Sequence, residues 1–97
     1  MTVFVDEVRV WPTKIRCFRS GSAHLTANSV EELHALARRI GLRRAWFQDG
    51  RVPHYDLTPA RRQAALEAGA VFVPAKEQAR RRLAERQGEG ELGRAEP

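Results

Sequence analysis

Ninety-seven residues are enough for one domain with a single modest core and too few for two. Lys plus Arg exceed Asp plus Glu by 17 to 12, so the net charge is +5 and the pI near 10.6, a balance that favours nucleotides, nucleic acid or phosphorylated metabolites as partners. The lone Cys17 excludes an intramolecular disulfide and a cysteine zinc site, and no apolar run approaches the length needed to span a bilayer.

Val3-Phe4-Val5 is a short β-branched and aromatic run that reads as a strand buried on both faces. Asp6 ends it, at the carboxyl end where ligands gather in open α/β sheets; the plainer reading is a turn hydrogen bond. No basic n-region or long apolar h-region follows Met1, so a cytoplasmic protein is expected. Val8 and Val10 alternate with Glu7, Arg9 and Trp11 until Pro12, which suits a strand with one wet face. Residues 13–22 carry Lys14, Arg16 and Arg19 around Ile15 and Phe18, either as a basic loop or as an edge strand. With Arg9 and Trp11 such a loop suits phosphate binding or base stacking, and equally a solvated surface.

Ala23-His24-Leu25-Thr26 reads as a second strand, and Ser29-Val30-Glu31-Glu32 as a capping box. Val30, Leu33, Leu36, Ala37 and Ile40 then recur at helical spacing. Gly41 ends that helix after Arg38 and Arg39. His34 lies about 100° around from Leu33, where a packed histidine is commoner than a ligand. Ala45-Trp46-Phe47-Gln48 reads as a third strand and Asp49-Gly50 as a turn.

The segment Val52-Pro53-His54-Tyr55-Asp56-Leu57 gathers an imidazole, a phenol and a carboxylate just ahead of Thr58-Pro59, an N-cap and first helical position. The positive end of that helix dipole suits an anion. The helix runs from about Pro59 to Ala68, with Gly69 as its stop and Ala60, Ala64, Ala65, Ala68 and Leu66 as its inner face. Arg61 and Arg62 sit unfavourably at its start unless a carboxylate such as Asp56 is near. Ala70-Val71-Phe72-Val73 is a fourth strand, cut by Pro74. From Ala75 to Arg86 a thin stripe of Ala75, Ala79 and Leu83 faces a surface of Arg80, Arg81, Arg82 and Arg86. That surface is a wet face or a contact for nucleic acid or protein.

The expected architecture is a small α/β domain over residues 1–86, with about four partly parallel strands covered by two to three helices. Residues 87–97, rich in Gly and Glu, are expected to form a flexible tail.

Three histidines, His24, His34 and His54, come from different elements, and they converge with Asp6 or Asp56 if the strands end on one rim. An imidazole oriented by a carboxylate has the parts for general acid–base work. None of the histidines forms an i, i+4 pair or a known zinc spacing, so no metal ligand and no cofactor is assigned, and whether a metal binds among His24, His34, His54, Asp6 and Asp56 stays open. Nothing places a histidine beside Cys17 for nucleophilic catalysis, and the glycines are too scattered for a phosphate loop.

Together, Val3-Phe4-Val5-Asp6 with Arg9, His24-Leu25, Glu31-Glu32-Leu33-His34-Ala35, Gly41 with Trp46-Phe47-Gln48, His54-Tyr55-Asp56-Leu57, Arg62 with Ala64, and Gly69-Ala70 resemble an uncharacterised bacterial and phage family of short proteins, a domain of unknown function. The resemblance covers about Val3 to Val73. Members usually carry cysteine where Ala23 stands and aspartate where Asn28 stands, and the first difference argues against a thiol mechanism. The family's association with phosphohydrolases of the HD type implies a nucleotide-like ligand. Asp6, Arg9, His24, His34, Trp46, Gln48, His54, Tyr55, Asp56 and Arg62 match its motifs, a set too polar to be explained by packing alone.

The expected function is therefore binding of an anionic, nucleotide-like ligand around His54, Tyr55 and Asp56. Asp6, His24 and His34 would line the site, Arg9 and Arg62 would counter phosphate charge, and Trp46, Gln48 and Tyr55 would contact the ligand. An enzyme alternative makes His54, Asp56 and His24 catalytic in hydrolysis of a phosphorylated or nucleotide substrate. An adaptor alternative binds nucleic acid or protein through Arg80, Arg81 and Arg82.

Overall fold

Side-chain alternation along the strands decides which residues meet, because successive side chains point to opposite faces of a sheet. In the computed structural model, which describes residues 2–10, 12 and 15–95 and the side chains among them other than Cys17 and 86–95, the alternation organises the whole molecule. Trp11, Thr13, Lys14, the Cys17 thiol and Arg86 lie outside that description.

Strands β1 (Val3–Val5), β2 (Ala23–Ala27), β3 (Tyr55–Leu57) and β4 (Val71–Phe72) form one sheet in the order β3-β2-β1-β4. β1 runs antiparallel to β2 and parallel to β4, and β2 runs antiparallel to β3. The sheet is thus mixed, as the alternating strand and helix patterns imply. The register places Val5 opposite Leu25 and Leu25 opposite Tyr55, a row on one face. These residues, with Val3, Ala23 and Leu57, are buried in a continuous core with Leu33, Leu36, Ala37 and Ala65.

Those last four belong to α1 (Val30–Arg39) and α2 (Pro59–Glu67), the helices that cover this face. The Ser29 hydroxyl accepts the Glu32 N–H at 3.2 Å, but Glu32 does not complete the box: its carboxylate accepts the Thr2 N–H at 3.3 Å instead. Val30 is exposed rather than part of the buried stripe, which begins at Leu33. The helix stops in a Schellman arrangement. Gly41 takes φ 83°, its N–H reaches the Arg38 carbonyl and the Leu42 N–H reaches that of Ala37 at 2.8 Å.

At α2 the Thr58 hydroxyl accepts the Arg61 N–H at 3.2 Å. Arg61 and Arg62 find carbonyls rather than Asp56: Arg61 Nη1 donates to the Ile40 carbonyl at the negative end of α1, and Arg62 Nε donates to the Asp6 carbonyl at 2.8 Å. Two arginines that look misplaced on their own helix serve its neighbours. Of the expected alanine face only Ala65 is fully buried, and Ala60 is exposed.

The third strand is not where the aromatic run suggests. Arg44–Trp46 forms a 3-10 turn, and only a single bridge joins Gln48 to His54. Arg44, Ala45 and Trp46 are all exposed and only Phe47 of the run packs against the core, so the run lacks the alternating buried face that holds a strand in a sheet. Tyr55 and Leu57, two residues apart and both buried, supply one. Residues 13–22 contain a 3-10 turn at Arg16–Phe18, and Arg9 pairs across to Ser22 as an isolated bridge, so β1 does not continue through Val8 and Val10.

The opposite face of the sheet carries Phe4, Thr26, His24 and Asp56 by register. α3 (Ala75–Ala95) reaches it through a polar anchor. Gln78, 8% exposed, accepts from the Thr26 hydroxyl at 2.9 Å and donates to the Val73 carbonyl at 2.8 Å. Ala79 and Leu83, the expected apolar stripe, are exposed. Helical backbone continues past Arg86 to Ala95. Among the described residues no helix is long and apolar enough to cross a membrane.

Candidate functional site

Asp6, His24 and Asp56 line up across β1, β2 and β3. His24 and Asp56 are register partners, and Asp6 follows β1 one residue past Val5, the partner of Leu25. One face of the sheet thus presents a carboxylate, an imidazole and a second carboxylate. His54, two residues before Asp56, projects to the same face, and its ring stands edge-on to that of His24 with centroids 5.2 Å apart.

The buried Asp6 carboxylate clamps His24 twice. Oδ1 accepts the His24 backbone N–H at 2.6 Å, and Oδ2 lies 2.8 Å from Nδ1. A carboxylate only accepts, so Nδ1 carries the proton and donates. This bond is the leading cause of a His24 pKa raised above its ordinary value; desolvation opposes it, and the charges of Asp6 and Asp56 reinforce it. His54 Nδ1 is 2.8 Å from the Val52 carbonyl, also an acceptor only, so His54 holds the same tautomer. In both imidazoles Nε2 is the nitrogen left to face Asp56.

Those two atoms face one oxygen. Asp56 Oδ1 is 3.7 Å from His24 Nε2 and 3.5 Å from His54 Nε2, while Asp56 Oδ2 accepts from the Gln48 amide. One ligand atom from each of His24, His54 and Asp56 lies within 4.8 Å of the others, a grouping that sequence spacing alone did not disclose. The detectable signal was parity: His54 and Asp56 share a strand face, and His24 lies opposite Asp56 once strand register is known.

A cleft of 330 Å³ opens beside this cluster, with Asp6, His24, His54, Arg51, Gln78 and Arg82 among its lining. Arg51 and Arg82, which the sequence did not single out as a pair, come from the turn before His54 and from α3. Arg82 also approaches the Gln78 side-chain oxygen at 3.3 Å.

The remaining expected site residues lie elsewhere. Tyr55 points to the core face, so the expected His54-Tyr55-Asp56 centre splits by alternation. Its hydroxyl is 2.8 Å from His34 Nδ1, and both rings pack edge-on or tilted against Phe47. Burial, then the charges of Arg44 and Arg38, lower the His34 pKa; burial raises that of Tyr55, against an opposing effect of Arg44. His34 Nε2 is buried with no partner among the described residues, and this pair is a core feature on the far side of the sheet.

Trp46 is exposed beneath the Arg43 guanidinium, 5.7 Å from its ring centre. Arg9 pairs with Glu7 at 2.9 Å. Arg62 lies behind Asp6, with its guanidinium 5.2 Å from the Phe72 ring centre. On α3, Arg80 and Arg81 are exposed, and Arg81 pairs with Glu77 at 3.1 Å.

No curated protein and no solved structure is similar enough to the chain to count as a match. A family model described as a protein of unknown function, DUF4031, matches residues 3–85, most of the chain and every residue of the cluster. The chain belongs to the DUF4031 family.

Proposed function

We propose that the domain binds a small phosphorylated ligand, nucleotide-like in class, in the cleft beside His24 and His54. The observation that carries this reading is the lining of one 330 Å³ cleft by two imidazoles and two arginines, Arg51 and Arg82. Guanidinium groups match phosphate oxygens in geometry and charge, and the excess of 17 basic over 12 acidic side chains draws anions toward the surface. Tyr55 is committed to the core and Trp46 stands apart, so recognition would rest on charge and hydrogen bonds more than on stacking.

Calorimetry with nucleoside mono-, di- and triphosphates, inorganic phosphate and unphosphorylated nucleosides tests it. Saturable binding that requires phosphate, weakened about 10-fold or more by Arg51→Ala with Arg82→Ala, is the expected result, since a charge-assisted hydrogen bond contributes roughly 1.5–3 kcal/mol. Absence of saturable binding by the folded protein removes the reading.

The Asp6–His24 pair favours a second reading, hydrolysis of such a ligand. The carboxylate orients His24 rather than His54, so His24 is the better-placed proton acceptor. Turnover with a bell-shaped pH profile that disappears in His24→Ala would support this. Turnover undiminished in that variant would refute it.

A further inference from the structure

We propose that His24, His54 and Asp56 bind one divalent first-row transition-metal ion, zinc in the first instance, through the two Nε2 atoms and Asp56 Oδ1. This rests on reading the cluster as a ligand site, but it needs neither a nucleotide nor the cleft.

The protonation pattern is the first argument. Nδ1 of each imidazole is occupied as a donor, one to Asp6 and one to the Val52 carbonyl. Each ring therefore turns Nε2 toward the same carboxylate oxygen, and with those nitrogens unprotonated three acceptors share a small space. A cation resolves that arrangement.

Distance is the second. The 3.5 and 3.7 Å separations are too long for good hydrogen bonds. They are close to the roughly 3.3–3.4 Å edge of a tetrahedron built on bonds of about 2.0–2.1 Å, and all three ligand atoms lie within 4.8 Å of one another, so side-chain rotations would bring the atoms onto one ion.

Outer contacts are the third. Metal-binding histidines usually donate their second nitrogen to a carboxylate or carbonyl, and ligating carboxylates are themselves hydrogen-bonded. Asp6, the Val52 carbonyl and Gln48 occupy those positions. Three protein ligands leave a coordination position open. Two imidazoles with one carboxylate suit zinc, cobalt or iron better than magnesium or calcium. The ion would also offset the Asp6 and Asp56 charges, which otherwise oppose an anion in the neighbouring cleft.

Untagged protein, stripped with a chelator and titrated with Zn²⁺, Co²⁺ and Mg²⁺ by calorimetry, with Co²⁺ visible absorption as a second readout, tests the site. The expected result is one Zn²⁺ or Co²⁺ per chain and no Mg²⁺ binding. His54→Ala and Asp56→Asn should each weaken Zn²⁺ by about 100-fold or more, and Gln48→Ala by about 10–100-fold, with circular dichroism confirming that each variant folds. Tyr55→Phe, on the other face, should leave affinity unchanged. Failure of the folded wild type to bind Zn²⁺ or Co²⁺ stoichiometrically, or equal affinity in wild type, His54→Ala and Asp56→Asn, would overturn the proposal. Stoichiometric Zn²⁺ binding without any nucleotide binding would refute only the phosphorylated-ligand reading.

Discussion

His24 and Asp56 stand opposite each other on adjacent antiparallel strands, with Nε2 and Oδ1 3.7 Å apart, and Asp6 holds the far side of the same imidazole at 2.8 Å. The histidine is thus flanked by two carboxylates brought together from residues 18 and 32 positions away in the chain. Its tautomer is set by one of them and its free nitrogen faces the other.

This arrangement predicts opposite titrations for His24 and His34. Imidazole NMR signals of the metal-free protein should show His24 titrating above the ordinary 6.5 and His34 below it. Asp6→Asn should bring His24 back down, because its largest raising cause is the Asp6 hydrogen bond. A His24 midpoint unchanged by that substitution would contradict the assignment.

Stability should follow the same signs. His24, raised in the fold, contributes stability that is complete below 6.5 and lost as pH rises through its folded value. His34, lowered in the fold, contributes stability present above 6.5 and lost as pH falls through its depressed value. Urea midpoints against pH should accordingly show His24→Gln flattening the alkaline side and His34→Gln flattening the acid side.

Tyr55→Phe removes the partner of His34 Nδ1 while His34 Nε2 already lacks one among the described residues. A buried polar group left without its hydrogen bond costs about 1–3 kcal/mol, which thermal or urea unfolding would register. Ligand or metal binding on the opposite face should be unaffected.

Gln78 joins α3 to the sheet by two buried hydrogen bonds, from Thr26 and to Val73. Gln78→Ala should destabilise by roughly 2–4 kcal/mol, a value that combines lost packing with an unpaired Thr26 hydroxyl. In hydrogen exchange, amides in the first turns of α3 should lose protection before those of α1. Equal protection loss in both helices would mean that Gln78 does not act as a local tether.

Arg61→Met should cost about 1–2 kcal/mol by leaving the Ile40 carbonyl without its charged donor at the end of α1. The retained aliphatic stem keeps most of the packing, so the loss in a melting experiment reports the cap. A variant as stable as wild type would show that water replaces the guanidinium at no cost.

Chain-local physics made much of this protein legible from its sequence. The apolar spacing of Leu33, Leu36 and Ala37, the Ser29 and Thr58 caps and the stops at Gly41 and Gly69 are decided within a few residues, and so α1 and α2 follow from the sequence. The mixed four-stranded α/β character follows from the alternation of apolar runs with helices. Short strands gave a weaker signal: Ala45-Trp46-Phe47-Gln48 is apolar enough to suggest a strand, whereas Tyr55 and Leu57 possess the buried period that holds one.

The sequence by itself also determined which polar residues were available: three histidines, with Asp6 and Asp56. Only the tertiary structure decided how they sort. Pleating sends Tyr55 into the core with His34 while Asp56 and His54 turn to the other face, and the pairing of β2 with β3 sets His24 opposite Asp56. Register is fixed by burying Leu25, Tyr55 and Leu57 together, a collective effect of packing that no local stretch of sequence contains.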